Sequence, residues 1–136
     1  MKKLLAATVC IAALAACSDS PQDVAEDRVE DAAEASAATA GPAPVALGLS
    51  EAQLLEADLR AAADGAELGD VTSLLRTADG SVDRLLVEIE DSNPDRFVEV
   101  PVAGLTVLAR GNDTDLVTTM TRDQLAALPE ATLPTP

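Results

Sequence analysis

Histidine, tryptophan and tyrosine are absent from the 136-residue chain, and Phe97 is its whole aromatic content. The absence of histidine removes the usual general base and the commonest metal ligand together. Ser73, Ser81 and Ser92 therefore have no imidazole to activate them, and no G-x-S-x-G turn is present. No glycine-rich phosphate loop occurs either. The sequence excludes the common nucleophilic and nucleotide-dependent chemistries, and the expectation is a non-enzyme with no catalytic residue, no metal, no bound cofactor and no small-molecule substrate.

Positive charge is the next scarcity. Nine Lys and Arg stand against 24 Asp and Glu, giving a formal charge of −15. Phosphate binding needs a basic face, so nucleic acid is excluded as a partner. Anionic lipid head groups would repel the same surface, and attachment to a membrane would have to come from something other than charge.

Both lysines and both cysteines lie between Met1 and Cys17. Met1-Lys2-Lys3 is a short positive start, and Leu4 to Ala13 is an uncharged apolar run. A spanning helix needs about 20 apolar residues, so this run is too short to cross a bilayer. It has the organisation of a secretory signal. The next residues, Leu14-Ala15-Ala16-Cys17, resemble the bacterial lipobox. The resemblance implies cleavage before Cys17, a diacylglycerol on its thiol, and N-acylation (a palmitate-type chain) of the new amine. Two or three chains, at about 0.8 kcal/mol per buried methylene, hold a protein firmly where one does not. Residues 1–16 are thus read as a lipoprotein signal peptide. Losing Lys2 and Lys3 leaves seven arginines and takes the charge from −15 to −17. With Cys10 removed and Cys17 acylated, no thiol remains for a disulfide or a metal cage. Ser18 after the cysteine resembles lipoproteins sorted to the outer membrane; retention at the inner membrane goes with Asp, which here comes one place later as Asp19. The expected location is the periplasmic face of the outer membrane.

Residues 18 to 46 contain no Leu, Ile or aromatic side chain. Such composition cannot offset the entropy of ordering, so 17–46 is predicted to be the lipidated terminus and a flexible acidic tether, with Asp23 to Ala38 at most flickering into helix. A free tether of that length has a root-mean-square span of roughly 30 Å. From Leu47 the texture changes. Asp64-Gly65, Asp79-Gly80, Asn93-Pro94 and Gly111-Asn112-Asp113 punctuate runs rich in Leu, Val and Ile: Leu68–Leu75, Val82–Ile89, Arg96–Val102, Leu105–Ala109 and Leu116–Met120. Alternation puts Leu85, Val87 and Ile89 on one face, and Val98, Val100 and Val102 likewise. Pro101 marks a strand end or an edge. Ser50-x-x-Gln53 and Thr121-x-x-Gln124 are capping-box patterns, the second opening a short helix that Pro129 ends. On periodicity alone the first helix would run from Glu51 to Ala63.

From about Leu55 to Pro129 the sequence resembles the PRC-barrel family. The features that carry it are Leu55-Glu56-Ala57-Asp58-Leu59, Asp64 to Val71, Asp79-Gly80-Ser81-Val82, Leu85-Leu86-Val87-Glu88, Val98-Glu99-Val100-Pro101 and the ending Thr121 to Pro129. The family often has Gly where this chain has Glu56. The resemblance implies a small, mainly β barrel with short flanking helices over 47–130, a disordered tail at 131–136, and strand rather than helix over most of Leu55 to Ala62. Gly65 and Gly80 fit hairpin turns, and Gly69 inside a strand pattern marks a bulge or a close backbone approach. Phe97 is expected in the core or at its rim.

The remaining candidates are carboxylates. Asp113 with Asp115, and Glu88 with Glu90, lie two apart, and solvated surface charge is the expectation for both pairs. Asp91 to Asp95 begins like a calcium loop, but Arg96 stands where the sharp-turn Gly belongs and Val102 where the bidentate Glu belongs. These readings predict a lipid-anchored, non-catalytic envelope module that touches the membrane through its lipid and works by contact with another envelope protein. The alternative is an acidic stress-adaptation protein that weakly binds cations without a dedicated partner.

Overall fold

The computed structural model describes residues 20–133. In chain order the elements are α1 (Pro21–Ala40), β1 (Pro44–Ala46), β2 (Leu49–Ser50), α2 (Glu51–Leu55), β3 (Asp58–Ala61), β4 (Glu67–Arg76), β5 (Val82–Ile89), β6 (Phe97–Pro101), β7 (Thr106–Arg110), β8 (Asp113–Thr118) and α3 (Arg122–Ala126). The chain is mainly β with short flanking helices, apart from α1. The signal peptide, Cys17 and Ser18 lie outside the described residues.

Alternation assigns the faces of the sheet. Leu85, Val87 and Ile89 of β5 join Val98 and Val100 of β6 in the core, where Leu59, Leu68 and Leu116 meet them from the other strands. Leu54 of α2 and Leu125 of α3, both 0% exposed, close the core. Each of these short helices is set by its capping box: Ser50 Oγ accepts from the Gln53 amide at 3.3 Å, and Thr121 Oγ1 from that of Gln124 at 3.2 Å. Ser50→Ala is therefore expected to lower stability by about 1 kcal/mol, read as a shifted urea midpoint at constant slope. The helix from Ser50 ends at Leu55, so Asp58–Ala61 is strand, as the family resemblance implies and periodicity alone does not.

Six strands form one sheet in the order β6-β5-β4-β3-β8-β7. All neighbours are antiparallel except β3 and β8, which run parallel with Leu59 opposite Leu116. The expected closed barrel is corrected here: among the described residues no ladder joins β6 to β7, and both are edges. The outer side of β6 is already taken by the chain's own tail. Val98 bridges Glu130, and the Ala131 amide donates to the Phe97 carbonyl at 2.8 Å. The tail expected to be disordered from 131 is thus bound at its start. The folded unit also begins before Leu47, because β1 pairs with β2 and Val45 and Ala46 pack on the core.

The largest difference from expectation is α1, which occupies most of the segment read as a flexible tether. Its first turn holds a full capping box, with Ser20 Oγ accepting from the Asp23 amide at 3.2 Å and the Asp23 carboxylate accepting from the Ser20 amide at 2.9 Å. Pro21 opens the helix and Gly41, at φ 69°, ends it. Ala25, Ala33 and Ala37 are buried, with half-buried Val29 completing a stripe of period four. Alanine costs no side-chain entropy in a helix and lets its backbone approach the sheet closely, so a segment without large apolar groups can still dock. Beneath α1 lies the outward face of the sheet. Phe97, 3% exposed, belongs to that face rather than to the main core, and with Pro21, Gln22 and Ala25 it lines a crevice of about 400 Å³.

Candidate functional site

Three features of the described residues have the character of a site. The first is the bare edge of β7. Every residue of this strand is exposed, and Val107 and Leu108, at 41% and 44%, are the large apolar side chains left uncovered. β7 pairs on one side only, with Val107 opposite Leu116 and Leu108 opposite Asp115. Its other side presents unpaired backbone N–H and C=O groups, a ready template for another strand. The tail covers the corresponding side of β6, so the two edges are unequal.

The second is a charged hub around Arg60 of β3. Its Nε donates to Asp115 Oδ2 at 2.7 Å, and its Nη2 reaches Asp58 at 2.8 Å and Glu67 at 3.2 Å. Arg110 of β7 adds a second bond to Asp115 Oδ2 at 3.0 Å. The Asp115 side chain is only 5% exposed, which corrects the expectation of a solvated carboxylate. Burial pushes its pKa up, but the hydrogen bonds from Arg110 and Arg60 more than offset this and hold it below the usual carboxylate range. Asp58, Glu67 and Asp70 bring oxygens within 4.8 Å of one another, and Arg60 already supplies the positive charge there.

The third is a carboxylate cluster between layers. Glu26 of α1, Glu88 of β5 and Asp95 of the β5–β6 loop have oxygens within 4.8 Å of one another. Burial, then Glu26 and Asp95, push the Glu88 carboxyl up to about 7. Burial and Asp95 likewise raise Glu26. Glu88 is half-buried and faces α1, so the expectation of a solvated Glu88–Glu90 pair is corrected for this member. No feature beyond spacing points to an ion at this place, and the crowding of like charges favours the protonated form of Glu88 and Glu26.

Ser92 Oγ is used structurally, donating to the Ile89 carbonyl at 2.8 Å and accepting from the Arg96 amide at 2.9 Å. The lipobox residues Leu14, Ala15, Ala16 and Cys17 lie outside the described residues, so nothing here bears on them. The sequence reading missed Arg60 with Asp115, and Glu26 with Glu88 and Asp95. The period-four series Glu26, Glu30, Glu34 beside Ala25, Val29, Ala33 was the available signal for a docked helix with an acidic flank. Among the described residues no helix is long and apolar enough to cross a membrane. No family model matches the chain, and no curated protein matches it.

Proposed function

We propose that the chain is a lipid-anchored, non-catalytic module of PRC type on the periplasmic face of the outer membrane, acting by contact with another envelope protein. The observation that carries the contact reading is the β7 edge, open and apolar on a molecule otherwise dominated by acid. Its partner offers an uncharged or basic strand, since an acidic one would be repelled. Support for the anchor comes from the sequence around Cys17, and support for the PRC assignment from the order and spacing of its motifs. The lipid fixes the place of the module and the edge supplies recognition. With α1 docked, four residue steps separate Cys17 from Pro21, a reach of at most about 14 Å.

In-cell photo-crosslinking from Leu108 tests this, with Glu99 as a position on the opposite edge strand. A discrete adduct from Leu108, lost in Cys17→Ala, is the expected result. If Leu108 and Glu99 both give no adduct while the protein stays in the membrane fraction, the contact reading fails and the acidic, partnerless alternative replaces it.

A further inference from the structure

Helix α1 is held to the sheet by little. Its buried side chains are alanines, and its one long-range side-chain hydrogen bond runs from Gln22 Nε2 to the Asp95 carbonyl at 2.5 Å. Crevices flank it on both sides. One of about 350 Å³ is lined by Glu30, Ala33 and Glu34 of the helix and by Asp70, Thr72 and Glu88 of the sheet. The other, of about 290 Å³, lies between Val29 and Ala32 on one wall and Leu75 and Leu86 on the other.

Acid faces acid across the first of these seams. The helix contributes Glu26, Glu30 and Glu34, with Asp23 and Asp27 nearby; β4 contributes Asp70, β5 Glu88, and the following loop Asp95. From α2, Glu51 is neutralised by Arg76 at 2.7 Å and Glu56 is exposed. Six of the seven arginines among the described residues are committed elsewhere, Arg76 to Glu51. Arg60 and Arg110 bind Asp115, Arg84 binds Glu99, Arg96 donates to the carbonyls of Ala126 and Leu128, and Arg122 to those of Glu90 and Glu67. Arg28 lines the opposite crevice. Arg60 stands near the Asp70 end through Asp58 and Glu67, but among the described residues the Glu26–Glu88–Asp95 end has no cation of its own. Full ionisation there sets like charges against one another where small apolar contacts and the Gln22 bond to Asp95 resist.

We propose that α1 is an acid-closed strap, docked while the Glu26–Glu88–Asp95 cluster shares a proton and released when the cluster is fully ionised, uncovering Thr72, Leu86 and Phe97. These three residues are 7%, 4% and 3% exposed with the strap in place. The inference stands on the seam alone and does not depend on the lipid anchor. The direction in pH follows from Glu88, raised from 4.5 to about 7 in the docked form. Docking therefore binds protons. It is favoured fully below the ordinary carboxylate range and is lost as pH rises toward about 7, by about tenfold in the docking constant per pH unit between about 4.5 and 7 for one linked proton, and levels off above that. Helices in proteins draw most of their stability from tertiary packing, so release of α1 exposes its amides.

Hydrogen–deuterium exchange of the full chain in EDTA, at pH 5.5 and pH 8.5 and corrected for intrinsic rate, reads this directly. Protection of 21–40 is expected to fall at least tenfold at the higher pH while β4 and β5 keep theirs, and Glu88→Gln and Glu26→Gln are each expected to remove the response. Unchanged α1 protection in wild type, equal loss in β4 and β5, or a pH response that survives in both variants would overturn the proposal. Release at pH 5.5 by EDTA alone would overturn it too, by showing that a cation and not a proton closes the strap.

Discussion

Gly69→Ala is expected to destabilise the fold by about 3 kcal/mol or more, a loss at the upper end of what overpacking causes. Gly69 sits in β4 between two strands, opposite Leu59 of β3 on one side and Ile89 of β5 on the other. A Cβ there would lie 2.0 Å from the Glu88 carbonyl oxygen and 2.9 Å from Val87 Cγ1. A side chain could turn away from such a contact, but the closer atom is backbone in a paired strand. Relief requires β4 and β5 to part. That breaks the neighbouring bond from the Glu90 amide to the Leu68 carbonyl, 3.0 Å long, and shifts Glu88, whose side chain sits in the seam under α1. Urea unfolding followed by circular dichroism is the check. A midpoint change worth less than about 0.5 kcal/mol at constant slope would mean that the ladder yields without cost, contrary to this account.

That glycine was also among the most legible residues in the sequence, since a lone Gly in an apolar strand pattern implies close backbone approach. The same holds for the strands whose apolar residues alternate. Leu85, Val87, Ile89, Val98 and Val100 all reach the core as period two requires. The capping boxes at Ser50 and Thr121 were legible for a similar reason, because a cap is a contact between residues three apart. Less legible were the features made by distant partners. Nothing local says that β3 lies parallel to β8, or that Arg60 meets Asp115 across 55 positions. Asp115 alternates with Leu116 as an outward residue should, yet two arginines from other strands cover it. Glu88 is outward too, and its surroundings depend on α1, whose small alanines hid its docking from a reading based on large apolar groups. The open sheet follows the same logic: the motifs give strands in order, while the tail that occupies the β6 edge carries no strand pattern of its own.

Arg60→Met is expected to be the other severe change, at about 3 kcal/mol near neutral pH, because it leaves Asp115 buried with half its compensation. The Asp115 side chain is 5% exposed, and Arg110, its remaining partner, is 53% exposed and holds it by one bond at 3.0 Å. A loss of that size lowers the melting temperature by roughly 10–15 °C in a domain of this length. The pH dependence separates this cause from simple loss of packing. In wild type the two arginines hold Asp115 below its ordinary value, so its contribution is present above about pH 4 and fades as pH falls further. Without Arg60, burial pushes the carboxyl up instead, and the folded variant gains by protonating it. The deficit should therefore be largest at pH 7 and shrink as the pH is lowered toward 4. A deficit that stays constant over that range would assign the loss to packing of the arginine stem. Arg60→Met combined with Asp115→Leu completes the cycle: with the buried charge gone, the double variant should recover most of the stability at pH 7 and lose the pH dependence that the single variant shows.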